Sequence, residues 1–356
     1  MSNVSPRLHR WLDTLVRHSG SDLFLVVGQP PAIRIAGSVS RLDEEPLESA
    51  ALEDAVLSAL SPQALEKYRT AGYTDSSLRL EKLGRFRINV HHERGRPAAT
   101  IRSLPLTPPR LSELSLPTNV LALTRLPYGL VLVGGPTGSG KTTTLAALVN
   151  EINRREAKHI ITIEDPIEYE HPQQKSIVEQ VEIGIDSPDF PTALRSALRQ
   201  APDVIVVGEM RDAETMRIAL TAGETGHLVF STLHTGDVTA TISRVADSFP
   251  PERQGTIRQE LSMSLAAVMT QILVPRIHGG RVPATELLMI GYGARQHIRK
   301  NALQHLHQEI TITRSKGSFT FEESLATLVR QGLISTDEAR ARTVHPEELD
   351  LLLQGT

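Results

Sequence analysis

An eight-residue segment, from Gly135 to Thr142, has the composition and spacing of a phosphate-binding loop. Its sequence, Gly-Pro-Thr-Gly-Ser-Gly-Lys-Thr, matches the pattern G-x-x-x-x-G-K-S/T completely. Glycines allow backbone N–H groups to turn inward around phosphate oxygens, where side chains would obstruct the approach. Lys141 supplies a positive charge for the β- and γ-phosphates, and the Thr142 hydroxyl is positioned for Mg²⁺. The segment therefore predicts a site for ATP with Mg²⁺.

The residues on either side of the loop favour this interpretation over a glycine-rich turn that binds no nucleotide. Leu130 to Val133 is a continuous apolar run, typical of a strand buried on both faces. After the loop, apolar residues between Leu145 and Ile152 recur at i, i+3, i+4 and i+7, which predicts an amphipathic helix. The positive N-terminal end of that helix would also attract phosphate. The predicted nucleotide-binding residues are Gly135, Pro136, Thr137, Gly138, Ser139, Gly140, Lys141, Thr142 and Thr143.

Two acidic segments follow strand-like runs further along the chain. Thr162 to Glu168 contains three carboxylates just past a strand end, which is where open α/β sheets place their ligands. A carboxylate there could orient and deprotonate the attacking water, and the alternative is a solvated acidic turn. Val204 to Val207 leads to Glu209 in a Walker-B arrangement, where the expected role is to bind Mg²⁺ through water. A buried strand that ends in a solvated acid is the alternative there.

Two histidines flank a fourth apolar run, Leu228 to Phe230. His234 lies just past this strand on the side where the ligand is expected, a position that suits a sensor of the γ-phosphate. His227 is expected to anchor the loop before the strand. His91 and His92 are adjacent on another predicted strand and would point to opposite faces, so we expect no protein-only metal site there.

Several arginines are candidates for contacting phosphate or a neighbouring subunit. Arg195 and Arg199 are spaced i, i+4 and would share one helix face. They would form either a salt-bridged surface stripe or contacts across an oligomer interface, and Arg85 and Arg102 are open to the same alternatives. The candidates are Arg85, Arg102, Arg195, Arg199 and Arg211.

The elements that must position these residues indicate an α/β domain preceded by a smaller α+β domain. Apolar runs that alternate with helix-patterned segments imply a parallel sheet with right-handed crossovers. The first hundred residues instead combine a short amphipathic helix, Leu8 to Val16, with alternating strand patterns such as Arg85 to Val90. Prolines from Pro105 to Pro117 mark a stiff linker. We therefore predict an N-terminal domain over residues 1–104, a linker over 105–127, and a P-loop domain with a helical C-terminal region over 128–356.

The composition excludes several classes of protein. The chain has 356 residues and no cysteine, which excludes disulfides, cysteine-ligated zinc and thiol catalysis. The net charge is −3 and aromatic residues make up 4%, so the basic patch with interleaved aromatics of a nucleic-acid motor is missing, and no nucleic-acid partner is expected. The N-terminus has no signal-peptide core and no apolar run approaches membrane-spanning length, so we expect a cytoplasmic protein.

Four segments together resemble the PilT/PilU-type secretion ATPases, the family of type IV pilus retraction motors. The P-loop, Thr162 to Glu168, Gly208 to Asp212 and Gly226 to Thr235 correspond in order and spacing to that family's Walker A, Asp box, Walker B and His box. The resemblance extends into the first domain through Ser21-Asp22-Leu23, Pro30-Pro31-Ala32-Ile33-Arg34 and Gly84-Arg85-Phe86-Arg87-Ile88-Asn89. It therefore covers most of the chain.

The resemblance implies a homo-hexameric ring of RecA-like domains, each preceded by a PAS-like domain. It implies that ATP binds between the two domains with Mg²⁺, that Glu168 and Glu209 serve in water activation and Mg²⁺ handling, and that hydrolysis drives pilus retraction and twitching motility. The implied partners are an inner-membrane platform protein of the pilus, at which the protein would be peripherally associated, and a paralogous motor ATPase. Relatives that extend pili or drive type II secretion usually carry a four-cysteine zinc insert, which this cysteine-free sequence lacks.

Two positions depart from the family pattern. Phe24 stands where histidine is usual, so we expect no polar role there. The retraction-associated motif Ala-Ile-Arg-Asn-Leu-Ile-Arg-Glu is matched only in part by Ala294 to Lys300, which lacks one position and ends in lysine instead of an acid. Beside the retraction motor we therefore keep a second hypothesis, an ATP-binding accessory or regulatory component of a pilus or secretion machine with low turnover.

Overall fold

The computed structural model describes residues 4–355 and divides into two compact units. The first unit contains the described residues up to Thr107 together with Asp165–Glu170 and Glu182–Pro188. The second contains Pro108–Glu164, His171–Val181 and the described residues from Asp189 onward. The first unit therefore includes two short segments that are separated in sequence from the rest of it.

The first unit is an α+β domain built on an antiparallel sheet. Its strands are β1 (Asp22–Val26), β2 (Ala32–Ile35), β3 (Ser38–Arg41), β4 (Tyr73–Leu80), β5 (Gly84–Glu93) and β6 (Arg96–Leu104), and its helices are α1 (Pro6–Arg17), α2 (Ser49–Leu57) and α3 (Pro62–Ala71). The strand order is β3-β2-β1-β6-β5-β4, and every neighbouring pair is antiparallel. Helix α1 buries Trp11, Leu12 and Leu15 in the core, which confirms the predicted amphipathic helix. The PAS-like character of this domain stays a prediction.

The second unit is built on a seven-stranded sheet. Its strands are β7 (Gly129–Gly134), β8 (His159–Glu164), β9 (Ile177–Glu182), β10 (Val204–Val207), β11 (Leu228–Leu233), β12 (Leu265–Pro275) and β13 (Arg281–Met289). The order is β13-β12-β7-β11-β10-β8-β9, in which the five strands from β12 to β8 are parallel and β13 is antiparallel to β12. Strands β7 and β11 are buried along their whole length, as in sheets covered on both faces. The predicted parallel sheet is therefore confirmed.

Ten helices accompany this sheet in the part of the chain that the structure describes. They are α4 (Lys141–Arg155), α5 (Phe190–Ala197), α6 (Ala213–Glu224), α7 (Val238–Asp247), α8 (Pro251–Ser264), α9 (Tyr292–Arg299), α10 (Leu306–Ile312), α11 (Phe321–Arg330), α12 (Thr336–Arg342) and α13 (Pro346–Gln354). Helix α4 buries Leu145, Leu148 and Ile152, as their spacing predicts. No helix within residues 4–355 is both long enough and apolar enough to cross a membrane.

The segment between the two cores is more structured than its prolines indicate. The sequence predicts a stiff linker over residues 105–127, whereas the structure forms 3₁₀ helices at Leu111–Glu113 and Thr118–Arg125. Val120 and Leu123 are fully buried in the same core as α4. Burial of these apolar side chains stabilises the packing of this segment within the second unit.

A largely buried carboxyl group lies on β13, the edge strand that pairs with β12. Glu286 on β13 is in register with Thr270 on β12, whose hydroxyl donates to Oε2 of Glu286 at 3.3 Å. Burial raises the pKa of Glu286 to about 7, with His307 acting against the rise and Asp237 and Glu322 adding to it. Ionisation of this group therefore opposes folding as the pH rises.

We expect Glu286→Gln to stabilise the protein more at pH 8.5 than at pH 5. The folded-state pKa lies above the unfolded one, so the cost of ionising Glu286 grows between the two values and is complete above about pH 7. Thermal unfolding at both pH values should show a relative gain at pH 8.5 of about 1–3 kcal/mol. Glu252→Gln, at an exposed position on α8, is the control. An equal effect of Glu286→Gln at both pH values would contradict this expectation.

Candidate nucleotide-binding site

The predicted phosphate-binding loop joins Gly134, the last residue of β7, to Lys141, the first residue of α4. Gly140, the N-cap of α4, has a φ of 87°, in the left-handed region that favours glycine. Gly135 is required by a close approach, because a Cβ there would lie 2.4 Å from the carbonyl oxygen of Gln271. Gly140 makes no side-chain cap at the N-terminus of α4, and the N-terminal end of a helix attracts an anion.

Lys141 lies in the loop that it is predicted to serve. Its side chain is buried, and Nζ donates hydrogen bonds to the carbonyl oxygens of Gly135 at 2.7 Å and Pro136 at 2.9 Å. Burial lowers the pKa of Lys141, and the nearby charge of Glu209 acts in the opposite direction. Because an ionised phosphate accepts a stronger hydrogen bond than a neutral carbonyl does, phosphate can compete for this ammonium group.

The other residues of the loop differ in their exposure. Pro136, Thr137 and Gly138 are exposed at its tip, whereas Thr142 and Thr143 are half-buried in the first turn of α4. Ser139 is buried, and its hydroxyl oxygen has no hydrogen-bond partner. The loop therefore presents an exposed tip above a buried, polar base.

Gln271 connects the loop to the helix that follows it, and the sequence motifs do not identify this residue. It is a buried amide on β12. Its Nε2 donates to the carbonyl oxygen of Ser139 at 2.7 Å, and its Oε1 accepts from the Thr144 hydroxyl at 2.8 Å. One side chain thus fixes both the loop and the start of α4. The available signal was an amide in a mostly apolar strand, since buried polar groups need partners.

Glu209 and His234, which are 25 positions apart in sequence, meet beside the loop. The Glu209 side chain, 16% exposed, follows β10 and forms an ion pair with Arg211. Nε2 of His234 lies 3.6 Å from Oε2 of Glu209, and Nδ1 lies 3.3 Å from the Thr137 hydroxyl. His234 therefore connects the tip of the P-loop to the Walker-B carboxylate, and its predicted position on the ligand side of the sheet is confirmed.

Hydrogen bonds between neighbouring strand ends hold these residues at one edge of the sheet. The N–H of Gly208 donates to the carbonyl oxygen of Ile163 at 2.8 Å, which joins the end of β10 to β8. The Thr232 hydroxyl donates to the carbonyl oxygen of Gly208 at 2.6 Å, which joins β11 to the same point. The carboxyl ends of parallel strands thus form the ligand edge expected of an open α/β sheet.

The acidic segment after β8 divides between the two units. Glu164 ends β8 in the second unit, where its Oε1 accepts from the Thr162 hydroxyl at 2.7 Å and from Nε2 of Gln180 at 3.1 Å. Glu168 is half-buried in Asp165–Glu170, which belongs to the first unit. The roles assigned to Glu168, Glu209 and His234 stay predictions.

The candidate arginines occupy very different surroundings. Arg85 was a candidate for phosphate or interface contact, but it is buried in an ion pair with Glu182, which corrects that expectation. Arg199 does not share a helix face with Arg195, because α5 ends at Ala197 and Arg199 lies in the following turn. Ion pairs also engage Arg102 with Asp22, Arg195 with Glu214, and Arg211 with Glu209. Arg211 is thus the candidate that contacts a residue beside the P-loop.

The remaining histidines make local contacts. Both the backbone N–H and Nδ1 of His227 lie 3.1 Å from the carbonyl oxygen of Ala222, which confirms the predicted role of His227 in anchoring the loop before β11. Nδ1 of His91 contacts Asn89, while the His92 ring stacks on Tyr68.

Comparisons with known proteins agree with this geometry. The sequence matches the family model described as type II/IV secretion system protein over residues 111–341. It is 41% identical over 331 residues to the type IV pilus retractation ATPase PilT of Pseudomonas aeruginosa, covering 93% of this chain and 96% of the relative. The type IV pilus ATPase PilU of the same organism is 36% identical over 344 residues, with coverage of 96% and 90%. The crystal structure of the pilus retraction motor PilT with bound ADP matches with a TM-score of 0.88 at 43% identity, covering 97% of this chain and 98% of that chain.

We expect Gln271→Leu to weaken nucleotide binding about tenfold or more. The variant leaves the Ser139 carbonyl and the Thr144 hydroxyl without their buried partner, at a cost of about 1–3 kcal/mol for each unsatisfied group. Titration with ATP and ADP measures the effect, and Gln331→Leu, at an exposed position after α11, is the control. Unchanged affinity in a folded Gln271→Leu protein would contradict the role of this side chain.

Proposed function

The chain belongs to the type II/IV secretion system protein family, and we propose that it is a motor ATPase that retracts a type IV pilus. The observation that carries the proposal is the arrangement of Lys141, Glu209 and His234 around one P-loop, in a chain that is 41% identical to a pilus retraction ATPase over nearly its full length. The alignment covers both units, so the likeness is not confined to a nucleotide-binding core shared by many proteins.

In the proposed reaction, each part of the site has one task. The loop N–H groups and Lys141 bind the β- and γ-phosphates, and His234 contacts the γ-phosphate. Water attacks the γ-phosphorus while its proton passes to the Glu168 carboxylate. The bond between the γ-phosphorus and the bridging oxygen breaks, and the electron pair leaves with ADP, giving ADP and inorganic phosphate.

The site also offers ligands that suit Mg²⁺. Thr142 contributes a hydroxyl in the first turn of α4, and Glu209 contributes a carboxylate close enough to Lys141 to affect its pKa. Oxygen donors of this kind are those that Mg²⁺ prefers. When bound, the ion would neutralise part of the phosphate charge during transfer.

We further propose that the active form is a homo-hexamer on the cytoplasmic side of the inner membrane. Its proposed partners are a platform protein of the pilus and, since PilT and PilU occur together in Pseudomonas aeruginosa, a second motor ATPase. No nucleic-acid partner is part of this proposal.

A second candidate function is an accessory component with low turnover, and the segment Ala294 to Lys300 favours it. This segment forms most of α9 and ends in lysine where the related motif ends in an acid. Arg295 is engaged by the carbonyl oxygens of Ser262 and Met263, at 2.5 and 2.8 Å. The rate of steady-state phosphate release separates the two functions.

We expect Lys141→Ala and Glu209→Ala each to abolish hydrolysis while leaving assembly intact. Loss of either charge removes transition-state stabilisation, for which effects of about 10²-fold or more are usual. Phosphate release and size-exclusion chromatography of the purified variants test this, with Glu252→Ala as an exposed control. Retained turnover in either variant would contradict its assigned role.

In cells, we expect deletion of the gene to leave pili that are made but not retracted. The wild-type gene should restore retraction, and a Lys141→Ala gene should not, because the cargo moves only if ATP is hydrolysed. Normal retraction in the deletion strain would instead support the accessory function.

A further inference from the structure

We propose that Arg85 is a positioning residue for hydrolysis, acting through the segment that carries Glu168. The inference rests on the proposed role of Glu168 as the base that activates water. Arg85 and the segment Asp165–Glu170 both belong to the first unit, although 80 positions separate Arg85 from the start of that segment. What joins them is a cluster of charged side chains around Arg85, which includes Glu170 and Glu182.

Arg85 is the buried centre of this cluster. It lies on β5, and only 8% of its surface is exposed. Its Nη2 donates to Oε2 of Glu182 at 2.6 Å, and its Nη1 lies 3.7 Å from Oε1 of Glu170. Glu182 is itself buried, so the pair is shielded from solvent, and removing one partner would leave an uncompensated charge.

Glu182 connects Arg85 to Ile167, the residue before Glu168. The same Oε2 that binds Arg85 accepts the backbone N–H of Ile167 at 3.2 Å. The other oxygen accepts from the Ser77 hydroxyl on β4. Arg85 therefore fixes a carboxylate that in turn fixes the main chain one residue before Glu168.

A second set of contacts fixes the segment just after Glu168. Oε1 of Glu170 pairs with Nε of Arg79 on β4 at 2.8 Å. The backbone N–H of Glu170 donates to the carbonyl oxygen of Leu106 at 3.3 Å. The chain is thus held to the first unit at positions −1 and +2 relative to Glu168, and Arg85 contacts both carboxylates involved.

This arrangement gives Arg85 an indirect role in the chemistry. General-base catalysis requires the carboxylate to lie within hydrogen-bond reach of water, and a displacement of about 1 Å can cost about a hundredfold in rate. Without Arg85, ATP should still bind to the P-loop, but Glu168 should lose its productive orientation. The effect should therefore fall on kcat and not on KM.

The test compares Arg85→Met with Arg69→Met, which alters an exposed arginine on α3 of the same unit. We expect Arg85→Met to lower kcat about 10- to 100-fold while KM for ATP and binding of a non-hydrolysable ATP analogue stay within about twofold. Arg85→Lys keeps the buried charge but lacks the planar fork, so it should show an intermediate kcat. That variant also tests the proposal if Arg85→Met does not fold.

A double-mutant cycle with Glu168→Gln separates positioning from general destabilisation. If Arg85 acts through Glu168, Arg85→Met should cause no further loss of kcat in the Glu168→Gln background. A multiplicative loss, or a rise in KM with unchanged kcat, would overturn the proposal. Wild-type turnover in Glu168→Gln alone would instead show that the assigned base is wrong, an outcome that the single variant distinguishes.

Discussion

Phosphate carries concentrated negative charge, and a protein can surround it with backbone N–H groups only where no side chain stands in the way. In this chain that constraint explains the loop between β7 and α4. A Cβ at Gly135 would lie 2.4 Å from the Gln271 carbonyl oxygen, and Gly140 at the start of α4 has no side chain that could occupy the position of the anion. The glycines that allow this approach also leave the loop with few side chains of its own to hold it in place. Side chains from other elements must therefore form hydrogen bonds with the loop backbone. Gln271 provides that support from β12.

The parallel sheet brings the chemistry to this loop. Glu209 follows β10 and His234 follows β11, and hydrogen bonds through Gly208 tie these strand ends together. In a parallel sheet all such ends lie along one edge, so residues distant in sequence converge without long side chains or long loops. The His234 contacts to Thr137 and Glu209 make the loop tip and the Walker-B acid parts of one polar network.

Local sequence pattern predicted much of this, and its limits have a physical cause. The helical spacing of Leu145 to Ile152 predicted α4, and the apolar run of β7 predicted a buried strand. Both predictions were correct because such patterns depend only on residues that are close in sequence. The hydrogen bonds of Gln271 and the Arg85–Glu182 ion pair could not be predicted from a local pattern. Their partners lie 132 and 97 positions away, and only the folded chain shows which polar groups need each other. The end of α5 before Arg199 is a boundary, the least reliable feature of any pattern.

The acidic segment that begins at the end of β8 divides between the two units. The P-loop belongs to the second unit, whereas Glu168 belongs to the first. Phosphate release from ATP by the purified, assembled chain tests this account most directly. We predict sustained release over many turnovers per subunit, whereas ATP binding without repeated release would contradict a motor and indicate a nucleotide-dependent switch.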